Sequence, residues 1–241
     1  MKKILFIGIL LIFGCNIMSA QGDIWGKGRY LNLSYAAANT APKGSSVEKG
    51  KFGFALTKGT TYLFPKEPFF GMLKVGFDVN WADVTFAKYN SGAWENSFNY
   101  DYGYDDDDMM SKFNLGRMSL LAGVFGVGPN VTVAPFANMN NAARFLKASL
   151  YFHYQPTFGI YMVTEDGDLE ASYAYCNMFQ FGGKIQWKFI GLGIEGHWGS
   201  GNFKQIAFET DDEFGDFFGN PSNGKYTRKF ANTRVYLSFS F

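Results

Sequence analysis

Apolar and polar residues alternate with period two along most of this chain. The clearest run is residues 73–81, where Leu73, Val75, Phe77, Val79 and Trp81 alternate with Lys74, Gly76, Asp78 and Asn80. Successive side chains of an extended strand point to opposite faces, so this run predicts a strand with one apolar and one polar face. The pattern recurs. Leu31, Leu33 and Tyr35 oppose Asn32 and Ser34; Leu146, Ala148, Leu150, Phe152 and Tyr154 oppose Lys147, Ser149, Tyr151, His153 and Gln155. Phe179, Phe181, Ile185 and Trp187 oppose Gln180, Gly182, Lys184 and Gln186; Ile190, Leu192, Ile194 and Trp198 oppose Gly191, Gly193, Glu195 and His197. The chain closes on Val235, Leu237, Phe239 and Phe241 against Arg234, Tyr236, Ser238 and Ser240.

Eight strand-length segments emerge, the first over residues 25–37, the second over 51–64 and the third over 69–88. The fourth starts near residue 113, with a bulge where Leu120 and Leu121 stand side by side. The fifth covers 145–162; the sixth and seventh meet at a short join, residues 188–189, and the eighth closes the chain. The connections are read as a polar loop (39–50), a tight turn "PKEP" (65–68), a long loop (89–112), a turn (134–144), an acidic loop "TEDGDLE" and a second long loop (207–225). Ten strands would require a further hairpin in segment four or the last loop. No helical period of 3.6 appears.

A soluble sandwich also yields many short strands, but it has no need of so many of ten residues or more. Nor would its polar face carry lysines and carboxylates opposite continuous aromatics. In a transmembrane β-barrel that assignment is the expected one, apolar side to lipid and polar side to the lumen. Closure also accounts for the ending "TRVYLSFSF". A terminal strand exposes a sheet edge unless something pairs with it, and here the first strand, near "YLNLSYA", would do so.

Composition agrees. The chain has 27 Phe, 14 Tyr, 5 Trp and 29 Gly among 241 residues, and 19% aromatics is high for a soluble domain. Mean hydropathy is only −0.11, as alternation would leave it. Lys2 and Lys3, an apolar run to Gly14 and small or polar residues to Ala20 read as a secretory signal peptide over residues 1–20, leaving one domain at 21–241. Lipoprotein processing at Cys15 ("IFGC") is the rival. After cleavage only Cys176 remains, so no intrachain disulfide forms and the residue reads as an apolar filler. The net charge of +1 gives no argument for nucleic acid. With a secreted N-terminus in the periplasm, eight strands return the C-terminus there. Connections one, three, five and seven are then extracellular and expected to be the long ones.

On these residues the chain resembles the small, eight-stranded outer-membrane β-barrel proteins of Gram-negative-type bacteria. The resemblance rests on "RYLNLSYA", "KFGFALTKGTTYLF", "GPNVTVAP" and "RVYLSFSF". It implies an all-β antiparallel up-and-down barrel in the outer membrane. It also implies that Tyr236, Phe239 and Phe241 form the signal read by the machinery that inserts barrels. Function is implied only weakly, because fold does not fix function.

Lys74, Asp78, Arg117, Lys147, Lys184, Glu195 and Arg234, with Lys58, are expected to face the lumen. An eight-stranded barrel has room inside for little more than its own side chains. The expectation is therefore a plug of paired charges, with Asp78 and Glu195 as counterions, rather than a small pore. His153 and His197 also face inward. His197 beside Glu195 invites a lipid-modifying enzyme, but no nucleophile motif accompanies them, so no catalytic residue, metal or cofactor is assigned. The consecutive acids after Tyr104 lack the spaced ligands of a calcium loop. The outer loops are rich in aromatic and acidic residues: Trp94, Tyr100, Tyr102, Tyr104, Asp105 and Asp106 in one, Phe217 and Phe218 in the other. They are candidates for binding an extracellular protein or glycan. The expected function is that of a non-enzymatic envelope protein surrounded by outer-membrane lipid.

Overall fold

The computed structural model describes residues 24–26, 28–44, 46–89, 116–165, 168–206 and 225–241. They form eight antiparallel strands: β1 (Gly28–Pro42), β2 (Glu48–Phe69), β3 (Leu73–Tyr89), β4 (Arg117–Val133), β5 (Leu146–Glu165), β6 (Asp168–Trp187), β7 (Ile190–Ile206) and β8 (Lys225–Ser240). Each pairs with its neighbours in sequence, and β8 returns to β1, closing a barrel in the order β1 to β8. The seam is the pairing read from the C-terminal pattern, with Leu31 opposite Phe239, Leu33 opposite Leu237 and Tyr35 opposite Val235. A spanning sheet has to close in this way because lipid offers no partner for a free strand edge.

The two faces are inverted relative to a soluble protein. Tyr35, Phe54, Ile185, Leu192 and Ile194 point outward, the last 57% exposed, whereas Arg234, His153, Gln180 and Glu195 point inward and are at most 3% exposed. An apolar exterior around a polar interior suits a barrel whose outer solvent is hydrocarbon. With strands of 15 to 22 residues, the walls exceed the roughly 9–11 residues a tilted strand needs to cross a bilayer.

Two irregularities break the alternation, and both matter for the interior. On β3, Trp81 and Ala82 both face outward, and the register with β2 shifts from Asn80–Gly59 to Ala82–Lys58. Beyond this point the odd-numbered residues Asp83, Thr85, Ala87 and Tyr89 turn inward. On β4 the irregularity lies between Gly123 and Val127, not at Leu120–Leu121. Its centre is Phe125, held at a φ of 52°. Gln155 and Pro156 of β5 lie across that shift, where a proline's missing N–H leaves no rung unpaired. Trp81 and Phe125 meet edge to face at 5.9 Å on the outer surface, so the two bulges are in register.

Several boundaries differ from those read in the sequence. "PKEP" is not the turn. β2 runs on through it, and the chain reverses at Phe70, Gly71 and Met72, with Phe69 paired to Leu73. Connections one and five are not long loops, since β1 ends at Pro42 and β2 starts at Glu48, while Glu165 of β5 pairs with Asp168 of β6. Connection four, with a short 3₁₀ turn at Ala142–Phe145, is longer than either. Lys58 does not face the lumen; it is exposed on the outward face. It shares parity with Phe54 and Leu56, and that parity decides its side.

Candidate functional site

The chemistry is concentrated inside the barrel, in three storeys. Nearest the end where β1 begins and β8 finishes, Tyr30 of β1 lies over Gly59 of β2, its cross-strand partner. A Cβ on Gly59 would come within 2.2 Å of the Tyr30 ring. The Tyr30 hydroxyl reaches Asp78 Oδ2 at 3.0 Å and Asn80 Oδ1 at 2.5 Å on β3. Thr61 donates to the other Asp78 oxygen at 3.0 Å, and His153 Nε2 lies 3.4 Å from the carboxylate. Lys184 caps the Tyr30 ring at 4.6 Å. Lys74 donates to the Lys66 carbonyl at 2.9 Å. Lys147 sits on the same inward face, opposite Gln186.

The middle storey is built on Arg234 of β8. Its register partner is Glu195 of β7, and Arg234 Nη1 donates to Glu195 Oε1 at 3.2 Å. The guanidinium also crosses the lumen to β3, where it donates to both oxygens of Asp83 at 2.7 and 3.0 Å and to the Thr85 hydroxyl. Such a two-pronged guanidinium–carboxylate pair fixes geometry as well as charge. Thr57 donates to Asp83 at 2.8 Å. Glu195 also accepts from Tyr151 at 2.5 Å and lies 2.9 Å from His197 Nε2. Tyr151 and Tyr236 cover Gly182 and Gly193, their cross-strand partners, and their hydroxyls meet at 2.9 Å. Asn80, Gln155 and Gln180 link this storey to the first. Asn80 donates to Gln180 at 2.7 Å, Gln180 bonds Gln155, and Gln180 Nε2 is 3.0 Å from His197 Nδ1.

Above these lies an apolar layer including Tyr89, Leu121, Tyr161, Cys176, Phe203 and Phe230. It is capped by Glu48, which accepts from Arg117 and Arg228 at 2.9 Å each and from the Tyr161 hydroxyl at 2.7 Å. Arg228 stacks 3.6 Å over the Tyr161 ring.

The structure therefore brings Asp78, Lys184, Glu195 and Arg234 together through one hydrogen-bonded and stacked network. Arg117 belongs to the separate cluster at the far rim. The sequence reading missed Asp83, Glu48, Arg228 and the tyrosines. Asp83 was hidden by the bulge that inverts parity at Trp81–Ala82, and Glu48 fell within a predicted loop. The signal for the tyrosines was the recurrence of glycine opposite tyrosine, visible only once strands are aligned.

Asp83, Glu195 and His197 converge closely enough to hold a metal ion. However, Arg234 already stands between the two carboxylates and supplies the positive charge. His197 has both ring nitrogens engaged, by Glu195 and Gln180, so neither faces a serine hydroxyl. Cys176 is buried in the apolar layer, as a filler would be. Among the C-terminal residues, Tyr236 is inside the network, while Phe239 and Phe241 lie half-buried at the terminal rim. Trp94, Tyr100, Tyr102, Tyr104, Asp105, Asp106, Phe217 and Phe218, like residues 1–20 and Cys15, lie outside the described residues.

Fold and interior together define a closed transmembrane β-barrel filled by its own side chains. Solved structures similar to it are small outer-membrane barrels. The attachment invasion locus protein Ail of Yersinia pestis matches at 12% identity over 89% of this chain and 98% of that one, with a TM-score of 0.41. Neisserial surface protein A matches at 12% over 90% and 99%, TM-score 0.41. A major outer membrane protein of Thermus thermophilus matches at 14% over 89% and 99%, TM-score 0.42. No protein-family model matches the chain, and the search of curated proteins gives no match.

Proposed function

We propose that this is a non-conducting, non-enzymatic protein of the bacterial outer membrane that holds two long segments, residues 90–115 and 207–224, outside the cell for binding a protein or glycan. In this reading residues 1–20 direct secretion and are removed. The assembly machinery then recognises the closing strand through Tyr236, Phe239 and Phe241. The observation that carries the proposal is the contrast in connections at the end away from the termini. Two of the four are short, joining β1 to β2 and β5 to β6. The chain length at that end is concentrated in the other two, which hold Trp94, Tyr100, Tyr102, Tyr104, Asp105 and Asp106, and Phe217 and Phe218. Aromatic side chains on a rigid support supply the anchors that binding interfaces use most. The interior supports the reading: its carboxylates and histidines are hydrogen-bonded within one network that includes Arg234, as in a structural plug.

The test is adhesion. Bacteria carrying the protein should adhere to host-type glycan arrays or protein-coated surfaces. Replacing residues 92–112 and 209–222 by short Gly-Ser links should abolish this while the barrel still folds. Undiminished adhesion by the double replacement contradicts the proposal.

A further inference from the structure

The outward face shared by β7 and β8 carries a polarity gradient that the plug does not use. From the end away from the termini, its cross-strand pairs run Lys204–Lys225, Asn202–Thr227, Ser200–Lys229, Trp198–Ala231, Gly196–Thr233, Ile194–Val235 and Leu192–Leu237. Cations come first, small residues in the middle and branched aliphatics below. Lys204 stands directly opposite Lys225, a pairing that costs stability unless an anion covers it. Lys204, Lys225 and Lys229 are exposed, and Lys49 of β2 is exposed nearby. Among the described residues none of these four has a carboxylate within ion-pair distance. The outward faces of β4 to β6 at the same end present Leu120, Ile160, Met162 and Tyr173 and no lysine. The positive charge is therefore no uniform rim: it spares β4 to β6 and is densest on β7 and β8, with exposed Lys43 and Lys51 and half-buried Lys88 extending it toward β3.

Two hollows lie along the same track. One, of about 400 Å³, is lined by Asn39, Val47, Trp198, Gly199, Ser200 and Lys229. The other, of about 870 Å³, lies further down and extends from Val131 of β4 and Leu150 of β5 to the track, which it meets at Ile194, Gly196, Thr233 and Val235. Gly196 leaves the wall bare there, since the nearest atom to a Cβ at this position is 3.8 Å away, in the Trp198 ring.

We propose that this track is a binding site for a net-anionic, phosphate-bearing membrane lipid, with its headgroup on Lys204, Lys225 and Lys229 and one acyl chain in the groove over Gly196. Cation cluster, tryptophan and greasy channel follow one another in the order of phosphate, glycerol or sugar level, and hydrocarbon in a lipid. The proposal rests on the barrel's standing in a bilayer and is independent of what the outer segments bind.

Native mass spectrometry of the full mature chain, released from micelles containing phosphatidylcholine with either phosphatidylglycerol or diphosphoryl lipid A, tests this. Retention of one anionic lipid at about tenfold or more over phosphatidylcholine is expected. A K204Q/K225Q/K229Q variant should lose that preference. Gly196→Leu should weaken long-chain lipids and leave a short-chain analogue unchanged. Lys58→Gln, on the outward face but away from the track, should retain the preference, which separates site loss from misfolding. Equal retention of all lipids by the wild-type chain overturns the proposal, as it would if the acidic segment 207–224 neutralised the lysines instead. So does an unchanged preference in the triple variant.

Discussion

Among the described residues, two arginine–carboxylate clusters hold this barrel, and they do the same chemistry in different surroundings. Around Arg234 every partner is inside: its side chain is 2% exposed, against 5% for Asp83 and 2% for Glu195. Around Glu48 the carboxylate is 14% exposed and Arg117 33%, while Arg228, its other partner, is only 6% exposed. Taking a charge out of water is expensive, and the interior cluster offsets that only because each charge faces another at hydrogen-bond distance. The Glu48–Arg117 contact can exchange protein partners for water and is worth correspondingly less, while Arg228 stays packed over the Tyr161 ring. The lesson is that the middle storey acts as a single unit, in which no member can be removed alone, while the rim is a set of separable contacts.

The largest expected effect breaks that unit. Arg234→Met leaves Asp83 and Glu195 facing each other without a cation and should destabilise the barrel by about 3–5 kcal/mol. Urea unfolding in phospholipid vesicles, followed by tryptophan emission, measures it. Adding Asp83→Asn to Arg234→Met should recover part of the loss. A double variant less stable than the single one would show that the cluster is not held by charge balance. Next comes packing: Gly193→Val would drive a side chain into the Tyr236 ring, which lies 2.3 Å from a Cβ there. A loss of about 1–3 kcal/mol by the same assay is expected, and a neutral result would mean the tyrosine is free to move. Glu48→Gln, at the rim, should cost about 1 kcal/mol, and its cost should shrink in high salt while that of Arg234→Met does not. The smallest effect belongs to the segment that joins β3 to β4. Replacing residues 92–112 by a short link should alter stability by less than about 0.5 kcal/mol, since the network is built from strands that end at Tyr89 and resume at Arg117.

The sequence disclosed the barrel because period two is a backbone property: the apolar faces of β3, β5, β6, β7 and β8 could be read residue by residue. It disclosed Arg234 and Glu195 as lumen partners for the same reason. What it concealed came from departures from strict alternation. Asp83 has the parity of Trp81 and Phe77, so counting places it in lipid; the outward pair Trp81–Ala82 reverses that, and no local signal announces it. Phe125, with a positive φ at the facing bulge, is equally silent, whereas Leu120–Leu121 looked like a bulge and is not one. Lys58 went the other way, assigned inward by its charge against its parity with Leu56. Glu48 and Arg228 lay in or beside predicted loops because the strands run several residues past the apolar band, where alternation no longer shows. The tyrosine–glycine pairs could not be seen without the register, since Tyr30 and Gly59, or Tyr236 and Gly193, meet only across strands.

The central claim is that side chains close the lumen, so that activity belongs to the outside of the barrel. Planar-bilayer recording of the purified protein tests it most directly. The wild-type protein should insert without producing stable conductance steps, and Arg234→Met, with the middle storey broken, should be the variant that begins to flicker. Uniform, long-lived steps from the wild-type chain would contradict the account.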